Sequence, residues 1–130
     1  IGNIYSWGNQ WPPPRGAGNF LGTEARDSKL PSDFKVIEGY NDGYAYTSPV
    51  GAFAPNQFGL YDMSGNLAQW CEDFYYGSKS PYPPSASRPI RGSSFTSGTG
   101  YLLSSLRFPH AHDDRSAIIG FRVVVATGGP

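Results

Sequence analysis

Two stretches of the chain carry side chains able to do chemistry. The first is Gly59-Leu60-Tyr61-Asp62-Met63-Ser64-Gly65-Asn66-Leu67-Ala68-Gln69-Trp70. Asp62, Ser64, Gly65 and Asn66 are turn residues, short oxygen-bearing side chains beside one free to take positive φ. A carboxylate at Asp62, carbonyls at Gly65 and Leu67 and the amide oxygen of Gln69 also offer the hard oxygen donors that suit Ca²⁺. On the residues alone, a polar turn leading into a strand is the preferred reading, because short motifs match by chance.

The second stretch is His110-Ala111-His112-Asp113-Asp114. In an extended chain its two imidazoles fall on one side, next to carboxylates, a donor set for Zn²⁺, Fe²⁺ or Ni²⁺. Pro109 and the polar run predict instead a surface loop with solvated histidines. Ser104, His110 and Asp113 can be written as a hydrolytic triad, but no Gly-x-Ser-x-Gly elbow supports a nucleophile.

The elements that must position these groups are sparse. Asn66 introduces Leu67, Trp70, Cys71, Phe74 and Tyr75, strand-type residues without a helix cap. Arg88 to Phe95 reads as a strand, and Ile118 to Ala126 as the clearest buried strand. Thr23-Glu24-Ala25-Arg26 predicts a short helix that Pro31 stops. Asn41-Asp42-Gly43-Tyr44 is a turn, and Pro81 to Pro89 an exposed loop. Trp7 and Trp11 flank the run Pro12-Pro13-Pro14 and predict that it packs on its own domain. No amphipathic helix of ten residues occurs.

Composition agrees with a loop-rich domain. Seventeen Gly and twelve Pro accompany three Trp, nine Tyr and eight Phe in 130 residues. Disordered chains lack such aromatics, so the irregular segments are expected to be pinned by buried rings. Ten acidic and ten basic residues cancel, which leaves no electrostatic footprint for nucleic acid. No apolar run reaches the length of a membrane span. The expectation is therefore a soluble protein with neither nucleic-acid nor membrane partner, its compartment undetermined. The single cysteine, Cys71, excludes an internal disulfide and reads as a small buried hydrophobe.

The stretch Gly59 to Asn66 with its following Trp strand resembles the signature of the formylglycine-generating enzyme (sulfatase-modifying factor) family. Three further blocks match in order: Tyr5-Ser6-Trp7-Gly8-Asn9, Arg91-Gly92-Ser93-Ser94-Phe95 and Ile119-Gly120-Phe121-Arg122-Val123-Val124. The resemblance implies an α+β, C-type-lectin-like fold, loop-rich with short antiparallel strands and little helix, forming one domain over residues 1–130. It covers only the later portion of the family domain. A truncated or minimal domain of this kind would expose an apolar patch and predicts self-association into a homo-oligomer, or completion by a partner chain.

The resemblance also implies two structural calcium sites. The matching positions are Asn19, Phe20, Asp42 and Tyr44 for the first, and Asp62, Gly65, Leu67 and Gln69 for the second. Gln69 stands where the family usually has Glu, which predicts a weaker second site. The family's enzymes bind copper with two cysteines just after the Arg-Gly-Gly-Ser-type block. Here Ser97 and Leu102 stand roughly at those positions, and neither can replace a thiolate for Cu(I). No copper is expected. The reading is a non-catalytic module that binds a protein, peptide or carbohydrate ligand through Phe95, Thr96, Ser97, Tyr101, Arg107, Phe108, His110 and His112. The alternative is a metal-dependent oxidoreductase using His110 and His112.

Overall fold

Rings and loops, rather than long elements, hold the chain together. The structure, a computed structural model, describes residues 2–77 and 80–125. Phe20, Ile37, Tyr40 and Leu102 form the buried core, with Tyr5, Trp7 and Ala17 packed against it. Tyr5 stacks on Trp7 at 4.7 Å, Trp7 meets Phe20 at 5.1 Å and Phe20 meets Tyr40 at 5.9 Å. Trp11 tilts onto Tyr5 at 5.6 Å, so the proline-flanking tryptophans do pack on their own domain. This chain of rings does the work that helices do elsewhere. The predicted helix is a 3-10 helix, Thr23–Asp27.

Among the described residues four short strands build one sheet: β1 (Ala68–Trp70), β2 (Ser87–Arg91), β3 (Phe108–Ala111) and β4 (Ile119–Gly120). Their order is β3-β2-β1-β4. β2 pairs antiparallel with both β1 and β3, while β4 lies parallel to β1. The sheet is therefore mixed, with two antiparallel pairs, as expected, and one parallel pair. A second 3-10 helix, Pro84–Ala86, leads straight into β2. The stretch Pro81 to Pro89 is thus not one exposed loop, and Ser87 is fully buried.

Prolines set the limits of the ladder. The register Gln69 to Arg91 and Trp70 to Ile90 would next pair Cys71 with Pro89. Cys71 N–H does reach the Pro89 carbonyl at 2.9 Å, but Pro89 has no N–H to return the bond. β1 stops at Trp70 for that reason. Pro109 faces Pro89 across β2 and β3, where β3 is an outer strand and a missing donor costs little.

The last apolar run corrects its expectation most. Of Ile118 to Ala126, only Ile119–Gly120 is strand, and Ala126 lies outside the described residues. Phe121, Val123, Val124 and Val125 are 78–90% exposed. β4 is the outer strand of this sheet among the described residues, so no neighbour lies alongside to bury them. The strand expected over Arg88 to Phe95 begins one residue earlier and ends at Arg91, because Gly92 and Ser93 both take positive φ.

Candidate functional site

Between the sheet and the loop that follows β2 lies an open cavity of about 520 Å³. Leu21, Ala68, Ile90, Leu106 and Ile118 give it an apolar floor. Thr96, Ser97, Thr99 and Tyr101 come from the loop, and Phe108 and His110 from β3. Main-chain bonds fix that loop: Phe95 N–H donates to Asn66 O at 2.9 Å and Leu21 N–H to Ser97 O at 3.2 Å. Ser94 N–H donates to Ser97 Oγ at 3.0 Å, and Ser93 Oγ donates to Tyr101 O at 2.6 Å. The Tyr101 and Phe108 rings stand 6.1 Å apart.

Five of the eight residues expected to bind ligand, Thr96, Ser97, Tyr101, Phe108 and His110, thus line one cavity. The other three do not. Phe95 is 7% exposed and packs against the Tyr46 ring. The Arg107 guanidinium lies over the Tyr75 ring, 5.3 Å from its centre. His112 is exposed just beyond β3, its N–H bound to Ala86 O. Asp33, Phe34 and Lys35 complete the wall opposite. A polar segment far away in the chain gave no signal of this placement, though Gly98 allows it: a Cβ there would collide with the Lys35 carbonyl oxygen.

The two histidines do not converge. His110 sits in β3, not in a loop, with Nδ1 3.1 Å from Asp114 Oδ2 and its ring edge-on to Trp70. Among the described residues no three His, Cys, Asp or Glu side chains are grouped to hold a metal ion. Leu102, at one of the two thiol-equivalent positions, is 1% exposed in the core. Cys71 is half-buried, and burial pushes its thiol pKa up despite Arg91, the opposite of what activates a nucleophilic cysteine.

The first oxygen set fits a cation. Segments 19–24 and 40–44 run together, with Phe20 N–H donating to Asp42 Oδ2 at 2.8 Å and Tyr44 N–H to Asp42 Oδ1 at 2.9 Å. Asn19 is 1% exposed, yet its Oδ1 has no hydrogen-bond partner. Its Nδ2 is engaged, donating to Tyr46 O at 2.8 Å. Burial, opposed by those two amide bonds and reinforced by Glu24, raises the Asp42 carboxyl to about 6. An orphaned buried amide oxygen beside a desolvated carboxylate is the environment a hard cation satisfies.

The second set, as placed, does not fit one. Asp62 Oδ2 accepts Gly51 N–H at 2.7 Å, and Gln69 turns its Nε2 donor to Asp62 O at 2.6 Å. Its remaining Oε1 accepts from Arg122 Nη1 at 3.2 Å, while Arg122 Nη2 binds Tyr61 O at 2.8 Å. A guanidinium thus already takes the one side-chain oxygen that Gln69 could offer a metal. Gly65 holds the turn at φ 84°, where a Cβ would come within 2.5 Å of Asn19 O.

The sulfatase-modifying factor enzyme 1-like domain matches residues 1–127. The chain belongs to that family. A formylglycine-generating enzyme of Thermomonospora curvata is 41% identical over 55% of this chain and 21% of its own length. The inactive C-alpha-formylglycine-generating enzyme 2 of Mus musculus is 31% identical over 99% of this chain and 39% of its own. Among solved structures, Treponema denticola variable protein 1 superposes with a TM-score of 0.66 at 23% identity, covering 93% of this chain and 40% of the other, a likeness of fold. PvdO from Pseudomonas aeruginosa gives 0.53 at 37% identity over 64% of this chain and 35% of the other. The chain therefore spans two fifths or less of these relatives. The loop-rich fold with short strands and little helix is that of this sulfatase-modifying factor family. No helix among the described residues is long and apolar enough to cross a membrane.

Proposed function

We propose that this sulfatase-modifying-factor-like chain is a non-catalytic binding module whose cavity beside β3 receives an extended peptide segment of a partner protein. The observation that carries the reading is the convergence of Thr96, Ser97, Tyr101, Phe108 and His110 on one cavity with an apolar floor. A floor of that kind takes an apolar side chain, and the surrounding hydroxyls and ring edges take polar backbone groups. Ser97 and Leu102 at the thiol-equivalent positions supply no copper ligand, and the existence of a relative described as inactive supports a role for the family outside catalysis. Calcium at Asn19, Phe20, Asp42 and Tyr44 would act as a cross-link between loops, its binding energy adding to folding energy.

The test is an array of immobilised peptides with varied apolar anchors, probed with the whole chain and with a Tyr101→Ala, Phe108→Ala double variant. Both rings are more than a third exposed, so the variant keeps its melting temperature within a few degrees. Expected is a subset of peptides bound by the natural sequence and weakened at least tenfold in the variant, about 1.4 kcal/mol or more. Equal binding by both proteins, or binding confined to a parallel glycan array, rejects the peptide assignment.

A further inference from the structure

We propose that Glu24 supplies a second carboxylate to the cation held by Asn19, Phe20, Asp42 and Tyr44, making the site charge-balanced for a divalent, oxygen-seeking ion. This rests on the reading of the first oxygen set given above. Both carboxylate oxygens of Glu24 are sealed from solvent and accept no hydrogen bond. Burying an ionised carboxylate without a donor or counter-ion is among the costliest arrangements a fold can hold, and folds normally provide one or the other.

The protein's own donors nearby are already committed. Arg26 pairs with Glu38. The N–H groups of Phe20 and Tyr44 go to Asp42, and the N–H and hydroxyl of Thr23 go to the Tyr40 carbonyl. The Tyr40 hydroxyl donates to Gly18 O. Glu24 lies against Gly22, where a Cβ would stand 2.5 and 2.7 Å from its two oxygens and 2.8 Å from Tyr40 O. Only glycine leaves that space. The bonds from Phe20 N–H to Asp42 and from Thr23 N–H to the Tyr40 carbonyl join the segment that carries Asn19 and Glu24 to the one that carries Asp42, and the unpartnered Oδ1 of Asn19 and both oxygens of Glu24 belong to that joined pair.

Without a cation the arrangement is unfavourable, because a carboxylate with no donor is shut away from water beside the segment that carries a second one. A dication relieves this. Mixed carboxylate, amide and carbonyl oxygens with loose geometry suit Ca²⁺ better than Mg²⁺, which demands a tight octahedron.

The experiment is calcium titration calorimetry on the whole chain stripped with chelator, for the natural sequence, Glu24→Gln and Asp42→Asn, with melting curves for each metal-free form. Expected is calcium binding by the natural sequence, weakened at least tenfold in Glu24→Gln. Metal-free Glu24→Gln should melt at or above the natural protein, because an unpaired buried charge has been removed. A merely structural Glu24 would give the opposite sign, and a lower metal-free melting temperature overturns the proposal. Calcium affinity lost in Asp42→Asn but intact in Glu24→Gln also overturns it, while leaving the site itself standing. No calcium bound by any of the three removes the site and the proposal together.

Discussion

Asn66→Ala is expected to lower the unfolding free energy by about 3–7 kcal/mol, read from urea denaturation. Asn66 is 7% exposed and holds φ at 60°. Its Oδ1 accepts from Ser48 N–H at 3.0 Å and from Asn19 Nδ2 at 3.3 Å, and its Nδ2 donates to Ser48 O at 3.1 Å. Truncation orphans both main-chain groups of Ser48, itself buried, at about 1–3 kcal/mol each. Alanine adds about 1 kcal/mol for a left-handed backbone that asparagine tolerates. Domains are stable by only about 5–15 kcal/mol, so the variant should lie near the edge of folding. Asn66→Gly separates the two causes, since it removes the bonds and relaxes the backbone. It should retain most of the loss. A drop below about 1 kcal/mol in Asn66→Ala would sink the idea that this side chain is the junction of the loops.

The second large effect concerns pH and metal together. The Asp42 carboxyl is raised from 3.8 to about 6, with burial as the main cause and Glu24 adding to it. The phenol of Tyr40, facing the same two carboxylates, is raised far above its usual range and stays protonated. In metal-free protein the folded state therefore binds more protons than the unfolded chain between about pH 4 and pH 6. The penalty for burying the charged carboxylate is present above about 6 and is relieved as the pH falls through that window. The metal-free contribution of this site thus rises on acidification. With calcium bound the sign reverses, because protons then compete with the ion for Asp42. At free calcium a hundredfold above its dissociation constant the ion should contribute about 2.7 kcal/mol at pH 7, roughly 10 °C in melting temperature. That gap between loaded and chelated protein should close as the pH is lowered to 5. Comparing the two forms at each pH cancels every ionisable group remote from the site. A gap that is absent, or constant from pH 7 to 5, rejects the assignment.

Much of this site was legible in the sequence, for reasons that can be named. Turn chemistry around Asp62 to Asn66 is local, so the turn is where its residue types place it, with Asp62, Gly65 and Asn66 all at positive φ. Thr96, Ser97 and Tyr101 lie close together in one loop, and alternation along β3 brings Phe108 and His110 to the same cavity. The same alternation explains Arg107, which faces the other way from Leu106 and Phe108, onto Tyr75. What stayed hidden depends on partners distant in the chain. Ile118 to Ala126 announces a buried strand by hydrophobicity, but hydrophobicity cannot supply the neighbour that would bury it, and residues 121–125 are exposed. In the sequence Glu24 reads only as part of the short helix expected over Thr23 to Arg26. Its burial follows from Gly22 and the 40–44 segment closing over it. The second oxygen set carries the right donors in order, and only the folded chain brings Arg122 to Gln69 across 53 positions.

The anchoring of the loop from Phe95 to Tyr101 bears on how such a module changes over generations. Its attachments at Phe95 N–H, Ser97 O and Tyr101 N–H are main-chain bonds, which any residue other than proline can make. Thr99 and Tyr101, which face the cavity from that loop, take no side-chain part in those attachments. If the cavity binds a partner as proposed, mutations at these two positions would change its preference while leaving the frame intact. The frame is correspondingly intolerant: Asn66, Gly65 and Gly98 are each hemmed in by main-chain atoms that have no room to yield. Selection on such a chain would fall on two separate sets of residues, one held fixed by geometry and one free to drift toward new partners.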